Sequence, residues 1–412
     1  MENLYFTVNF GWEIKRIKDL LPKYLNGVWG EYSNNDSGIP VLRSTEQNVE
    51  GKLKIVDPAI LDIKKVGKNN TLKNKDLLLT KSSGSKEHIG KCSYITSENG
   101  EGYCFSNFMM GIRFNNSVNS KFLQYCINNI IVKKQINNNS LNITLNNLTN
   151  ESVGKLLIPY STKEQQTKIA NYLDTETSKF DRKISNLEQK HQKLEEYKQS
   201  VIFETVTKGL DRNVQMKDSG IDWIGDIPSH WEIKRVKDTS KIKKGKAVET
   251  FFEKDSNMLP CIDTNFLRGR DNVVYCSNGV KILSDKVLIL WDGANAGELF
   301  FNKDIGYLGS TFGVFNTTLN NQFWFYYLKG IEQYSRDNLT GMGIPHVDGN
   351  VLKQTIALVP SKQEQELIVN FLNIETSKID KKKEIIKKQI ELLKEYKQTI
   401  IYEAVTGKKE IL

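Results

Sequence analysis

The hydrophobic pattern changes period along the chain, and it does so in the same order in both halves. Trp12-Glu-Ile-Lys-Arg-Ile-Lys-Asp19 and Trp231-Glu-Ile-Lys-Arg-Val-Lys-Asp238 alternate apolar and polar positions, as a half-buried strand does. Mixed short apolar runs follow. Ile39-Pro-Val-Leu-Arg-Ser-Thr45 is answered by Leu259-Pro-Cys-Ile-Asp-Thr-Asn265, and Asp76-Leu-Leu-Leu-Thr-Lys-Ser-Ser-Gly84 by Asp285-Lys-Val-Leu-Ile-Leu-Trp-Asp-Gly293. The second pair reads as a short strand running into a glycine loop. Each half then closes with a stretch free of Gly and Pro and rich in Lys, Glu, Gln, Leu and Ile, which predicts one long helix.

The two helices are copies. Gln165 to Thr207 overlays Glu364 to Thr406 at a constant offset of 199 without a gap, and nineteen of the forty-three pairs are identical. A helix of that length is about 65 Å long. A four-three spacing runs through Phe180, Ile184, Leu187, His191, Leu194, Lys198 and Val201, and through Ile379, Lys383, Ile386, Ile390, Leu393, Lys397 and Ile400. This is a coiled-coil seam, weakened by His191, Lys383, Lys198 and Lys397, and it suits two helices packed on each other. The expected fold class is α+β: two similar β-rich domains and two long coiled-coil helices packed on each other, in an internal repeat. The boundaries read as 1–160 and 231–360 for the domains, 161–207 and 361–412 for the helices, and 208–230 for a connector. Trp223, Ile224 and Ile227 give that connector apolar anchors.

The 412 residues carry a net charge of +9 and a pI of about 9.0, which fits a polyanionic partner. Cys92, Cys104, Cys126, Cys261 and Cys276 show no metal-ligand spacing and read as reduced thiols of a cytoplasmic protein. No apolar run approaches the roughly 20 residues of a membrane span, so no membrane partner is expected. Glu2-Asn-Leu-Tyr-Phe6 resembles part of a protease-cleavage tag and is set aside from fold reasoning. Gly84-Ser-Lys-Glu-His-Ile-Gly90-Lys91 has five residues between its glycines and Cys92 where a phosphate loop needs Ser or Thr. His88, His191, His230 and His346 are scattered and build no metal site, and no dinucleotide or methyltransferase motif is present. Catalysis, cofactor and metal are therefore not expected in this chain.

DNA suits the remaining signals. Lys64, Lys65, Lys68, Lys73, Lys75, Lys81, Lys86 and Lys91 outnumber the acids around them, and Lys237, Lys241, Lys243, Lys244 and Lys246 follow the second Trp strand. Lysines near loops neutralise phosphates. Loop residues able to reach base edges are Arg43, Ser82, Ser83, Ser85 and Lys86 in the first half, and Asn265, Arg268, Arg270, Asp292 and Asn295 in the second. Asp292 serves equally as a turn former. Asn128 to Asn150 is asparagine-rich, which reads as compositional bias.

The repeated order of Trp-Glu-Ile-Lys-Arg strand, variable domain and long helix ending Glu-Tyr-Lys-Gln-x-x-Ile-x-Glu-x-Val-Thr resembles the specificity subunit of type I restriction-modification systems. The connector Met216-Lys-Asp-Ser-Gly-Ile-Asp-Trp-Ile-Gly-Asp-Ile-Pro228 is similar to that family's central text. The resemblance implies two β-rich target-recognition domains separated by two long antiparallel coiled-coil helices, with an internal pseudo-twofold repeat, each domain reading one half of a split site in double-stranded DNA. It also implies two methyltransferase (modification) subunits that use S-adenosylmethionine on adenine, and restriction/motor subunits that use ATP and Mg. A stand-alone DNA-binding regulator and a coiled-coil scaffold without nucleic acid are the other readings of the same rod.

If the first long helix spaces the two recognition domains, lengthening it lengthens the gap between half-sites. Four helical residues inserted near Thr205 to Thr207 leave the seam in register and add about 6 Å. At about 3.4 Å per base pair, the gap should grow by roughly one or two base pairs with both half-site sequences kept. The methylated motif of the variant beside the parent checks this, and an unchanged gap with altered half-site bases refutes the spacer role.

Overall fold

The computed structural model describes residues 6–9, 11–29, 38–62, 70–137, 147–332 and 345–411. In the first half, strands β1 (Glu13–Arg16), β2 (Lys23–Asn26), β3 (Ile39–Leu42), β4 (Ala59–Leu61), β5 (Leu77–Thr80), β6 (Cys92–Tyr94), β7 (Cys104–Phe105) and β8 (Met109–Arg113) precede helices α1 (Ser120–Asn128), α2 (Ile130–Asn137) and α3 (Asn150–Lys155). Strand β9 (Leu157–Tyr160) then leads into the long helix α4 (Lys163–Lys208). A hairpin of β10 (Met216–Asp218) and β11 (Asp226–Pro228) forms the connector.

The second half repeats the plan with β12 (Glu232–Arg235), α5 (Val236–Thr239), β13 (Ser240–Lys244), β14 (Leu259–Ile262), α6 (Thr264–Leu267), β15 (Tyr275–Cys276), β16 (Lys281–Ile282) and β17 (Lys286–Leu290). It continues with β18 (Leu299–Asn302), β19 (Gly306–Leu308), β20 (Phe312–Thr317), α7 (Asn321–Gly330), α8 (Gly349–Gln354), β21 (Ile356–Val359) and the long helix α9 (Lys362–Val405). No helix among the described residues is long and apolar enough to cross a membrane.

Two compact units result, one of residues 1–187 and 389–412, the other of 188–388. In the first, an antiparallel sheet of order β2-β8-β5-β6 lies beside a sheet of order β4-β3-β7 in which β3 and β7 run parallel. In the second, β13-β20-β17-β18 and β15-β14-β19-β16 repeat both sheets, with β14 and β19 parallel. β5 is buried at all four positions, which is why its sequence is a continuous apolar run and not an alternating one. The Trp-led strands pair with the strand before each long helix, Glu13 opposite Tyr160 and Glu232 opposite Val359. The expected half-burial fails for β12. All four of its residues are exposed, and the flanking Trp231 and Val236 are buried in its place.

Each unit is built from both repeats. The first unit's core joins Phe122, Ile127, Ile158, Ile169 and Leu173 to Ile400, Ile401, Ala404 and Val405 from the end of α9. The second joins Val236, Phe315, Trp324, Leu358, Ile368 and Leu372 to Ile202 and Val206 from the end of α4. Left-handed glycines follow the two helices, Gly209 at φ 72° and Gly407 at φ 71°. Each lies against the strand-leading tryptophan of its own unit: a Cβ on Gly209 would stand 3.2 Å from Trp231, and one on Gly407 2.7 Å from Trp12.

Within each unit the helix halves pair antiparallel, and every four-three position is buried or half-buried. The three lysines that interrupt the seam are ion-paired. Lys397, 6% exposed, reaches Asp181 at 2.7 Å and Glu50 at 3.0 Å in the first unit. Lys198 holds both oxygens of Asp380 at 2.8 Å in the second, where Lys383 also pairs with Glu195. Lys198 and Lys397, like Asp181 and Asp380, occupy equivalent repeat positions, so in both units a lysine of one repeat meets the aspartate of the other.

Burial pushes Asp181 up, but hydrogen bonds from Lys397 and Lys52 outweigh it and hold the carboxyl below its ordinary 3.8. Burial likewise pushes Lys397 down, while Asp181 and Glu50 raise it above 10.5. The pair therefore stabilises fully from about pH 3.8 to about 10.5, losing strength as pH falls through the lowered carboxyl value or rises through the raised amine value. Lys397→Met should cost about 2 kcal/mol, less than the roughly 3–5 of a fully buried pair because the acids stay a third exposed. Lys198→Met should cost under about 1 kcal/mol. Urea unfolding at pH 7 and pH 3 measures both, and the Lys397 effect should shrink at pH 3.

Candidate nucleic-acid interface

In the first unit several strands turn at one edge. β2, β3 and β5 end there and β8 begins there, since Asn26 lies opposite Met110, Thr80 opposite Met109, and Leu42 beside Phe105. The backbone N–H groups of Lys81 and Ser82 both donate to the Phe108 carbonyl, at 3.0 and 3.1 Å, and Val28 donates to Phe105 at 2.8 Å. Gly27 allows this approach, because a Cβ there would overlap the Ser106 carbonyl. The edge thus gathers Trp29, Arg43, Lys81, Ser82 and Phe108. Arg43 sits just past β3, its Nη2 3.1 Å and Nε 3.3 Å from Glu46 Oε1, while Glu46 Oε2 accepts from the Arg43 backbone. Ser83, Ser85 and Lys86 continue outward in a loop where Ser85 N–H donates to Ser83 Oγ at 3.3 Å, and Ser85 and Lys86 are exposed.

The second unit has the same edge with other side chains. Gly245 takes the place of Gly27, since a Cβ there would overlap the Gly309 carbonyl. Lys244 lies 3.4 Å from Asp292 Oδ2 and 4.9 Å from the centre of the Trp291 ring. Asp292 bridges to His346, as Ser82 bridges to Asn147 in the first unit. Arg268 Nη2 pairs with Glu298 at 2.5 Å, and Arg270 Nη1 donates to Asn265 Oδ1 at 3.3 Å. Asn295 is exposed on the turn after Gly293. Lys243 and Lys246 are exposed on either side of Lys244 and Gly245.

The lysine run divides in the structure. Lys73, Lys75 and Lys86 are exposed and Lys81 half-buried, whereas Lys64, Lys65 and Lys68 lie outside the described residues, as does part of the asparagine-rich stretch. Lys91 is not a phosphate contact: it is 3% exposed, because its ammonium turns inward to the carbonyls of Gln47 at 2.7 Å and Ser44 at 3.3 Å. Two exposed aromatics escaped the sequence reading. Trp29 and Phe108 are 75% and 48% exposed with ring centroids 6.2 Å apart. Their signal was an aromatic flanked by glycines or turn residues just past a strand.

Among the described residues no group of three or more His, Cys, Asp or Glu is placed to hold a metal ion. The five thiols are buried and free. Burial pushes Cys104 up to about 11 and Cys261 up to about 12, so both remain protonated near neutrality. The edge can therefore offer hydrogen-bond donors, cations and aromatic faces to a ligand.

The model of the type I restriction modification DNA specificity domain matches residues 9–196 and again 228–395. The MjaVIII specificity subunit of Methanocaldococcus jannaschii is 32% identical over 44% of this chain and 43% of its own length. The putative MjaX specificity subunit of the same organism is 24% identical over 96% of this chain and 93% of its own. A chain solved in a study of complex assembly and conformational transition of the type I R-M system has a TM-score of 0.74 at 16% identity, over 97% of this chain and 99% of that one. The HsdS subunit from Thermoanaerobacter tengcongensis gives 0.50 at 17%, over 98% of each chain. These structural likenesses establish a shared fold.

The close approach at the edge has a direct check. Gly27→Ala should destabilise the protein by about 1–3 kcal/mol, as overpacking against fixed backbone does. Gly84→Ala, where an added Cβ meets nothing within 4 Å, should change stability by less than about 0.5 kcal/mol. Paired urea denaturation curves read both, and equal effects would refute a built edge.

Proposed function

The chain belongs to the type I restriction modification DNA specificity family, and on that premise we propose that each of its two units reads one half of a bipartite DNA target. The chain is the non-catalytic specificity subunit of such a system. The observation that supports the division of labour is the duplicated edge: one scaffold, with the same strand order and the same glycine contact, presents different side chains in each unit. Lys81, Ser82 and Arg43 stand where the second unit has Trp291, Asp292 and Asp263 by strand alignment. A retained scaffold with changed loop residues is what independent readers of two sequences require. Exposed Lys86, Lys243, Lys244 and Lys246 would neutralise phosphates around each edge, giving affinity without sequence preference.

The partners proposed are double-stranded DNA, two adenine-modifying methyltransferase subunits and the restriction/motor subunits. S-adenosylmethionine, ATP and Mg belong to those partners in this reading, and this chain contributes recognition and assembly.

Replacing residues 20–155 with the matching segment of a relative of different specificity tests the assignment. The methylome of cells carrying the chimera with its modification partner should change in one half of the motif only. A change in both halves, or in neither, overturns it.

A further inference from the structure

We propose that the cleft between Arg43 and the Trp29–Phe108 pair reads a G·C base pair, with Arg43 donating to guanine O6 and N7, and that Glu46 and Lys91 are the residues that position it. The proposal rests on the DNA-reading function above and names the base and the side chains of one unit. The cleft has a volume of about 480 Å³ and is lined by Trp29, Arg43, Thr45 and Phe108 among others. Exposed aromatic rings beside a guanidinium suit the major groove, where apolar contact with the methyl of a neighbouring thymine can accompany hydrogen bonds to a guanine edge.

Arg43 is oriented before any ligand arrives. Glu46, 9% exposed, takes Nε and Nη2 on one side of the fork, which leaves the Nη1–Nη2 end to donate two parallel hydrogen bonds. That is the donor geometry guanine presents acceptors for in the major groove.

The turn that carries Arg43 and Glu46 is itself fastened by a buried polar network. Lys91 holds the carbonyls of Ser44 and Gln47. Gln47, 3% exposed, donates to the Leu78 carbonyl at 2.8 Å and to Ser93 Oγ at 2.6 Å, and accepts from Thr80. Ser93 donates in turn to the Gly51 carbonyl at 2.6 Å. Burying an ammonium against carbonyls is unfavourable for the fold alone. The second unit shows that the scaffold does not need it. There the strand register puts Glu298, which pairs with Arg268, at the position of Lys91 and Asp263 at that of Arg43. Asp263 caps α6 through the Phe266 N–H at 2.8 Å. The lysine therefore accompanies the arginine and its turn, as a support for a reading residue does.

The test uses the chain assembled with its modification partners and maps the methylated motif for the unaltered protein, Arg43→Gln, Glu46→Gln and Lys91→Leu. The half-site assigned to this unit should contain a G·C pair at which Arg43→Gln lowers discrimination roughly 10- to 100-fold, while the other half-site is unchanged. Glu46→Gln and Lys91→Leu should relax the same single position, with an unfolding temperature that shows the fold retained. A purely structural role would lower methylation at every position alike. If Lys91→Leu does not fold, Glu46→Gln decides the positioning role and Arg43→Gln the base. Unaltered discrimination in Arg43→Gln, relaxation at an A·T pair, or equal loss in both half-sites refutes the inference. A parent complex with no bipartite motif refutes the function proposed above as well, and is told apart because it needs no substitution.

Discussion

The end of each long helix fills the side of a core that the β-rich domain beside it leaves open. Ile400, Ile401, Ala404 and Val405 enter the first unit's core and Ile202 and Val206 the second's. At roughly 1.5–3 kcal/mol for each fully buried aliphatic side chain, these contacts are comparable with the net stability of a domain. The strand-leading tryptophans complete the closure, lying on the glycines where the helices stop. Neither repeat, taken in chain order, holds a complete core. The exchange makes α4 and α9 structural parts of both units.

That exchange sets the demand on the seam. Apolar positions alone allow helices to slide past one another by a heptad, whereas a lysine that must find its aspartate fixes the register. The repeated Lys198–Asp380 and Lys397–Asp181 pairs do this in each unit. They differ in burial. Lys397 is sealed by Glu50 from the loop after β3, while Lys198 remains 22% exposed. The first unit's loop is thereby tied to the helix pair as well as to its own sheet through Lys91 and Gln47.

The edge where these strands turn follows from the same economy of scaffold. Strand order, the glycine contact and the bridge into the following short helix recur in both units. What varies is what the edge displays: a carboxylate-oriented arginine with exposed aromatics in one, a lysine stacked on Trp291 beside paired arginines in the other. Rigid elements place the loops, and the loops carry the chemistry.

The sequence by itself determined the repeat, the two long helices and their seam, the recurring strands and the strand-to-glycine loops. These are local or periodic properties, written in spacing and in residues such as the Gly-free run from Lys163 to Lys208. It also placed Arg43 and Lys81 just past strands, because a polar residue after a short apolar run is legible as a loop. Only the tertiary structure decided which helix end closes which core, since the tail of α9 reads the same whether it packs on its own domain or the other. Burial of Lys91 and exposure of Trp29 and Phe108 were equally invisible, because a lysine's composition does not say which way it points and an aromatic's does not say what covers it. The ion pairs of Lys198 and Lys397 appeared in the sequence as flaws in a seam. Their partners stand 182 and 216 residues away along the chain, and folding alone brings those charges together.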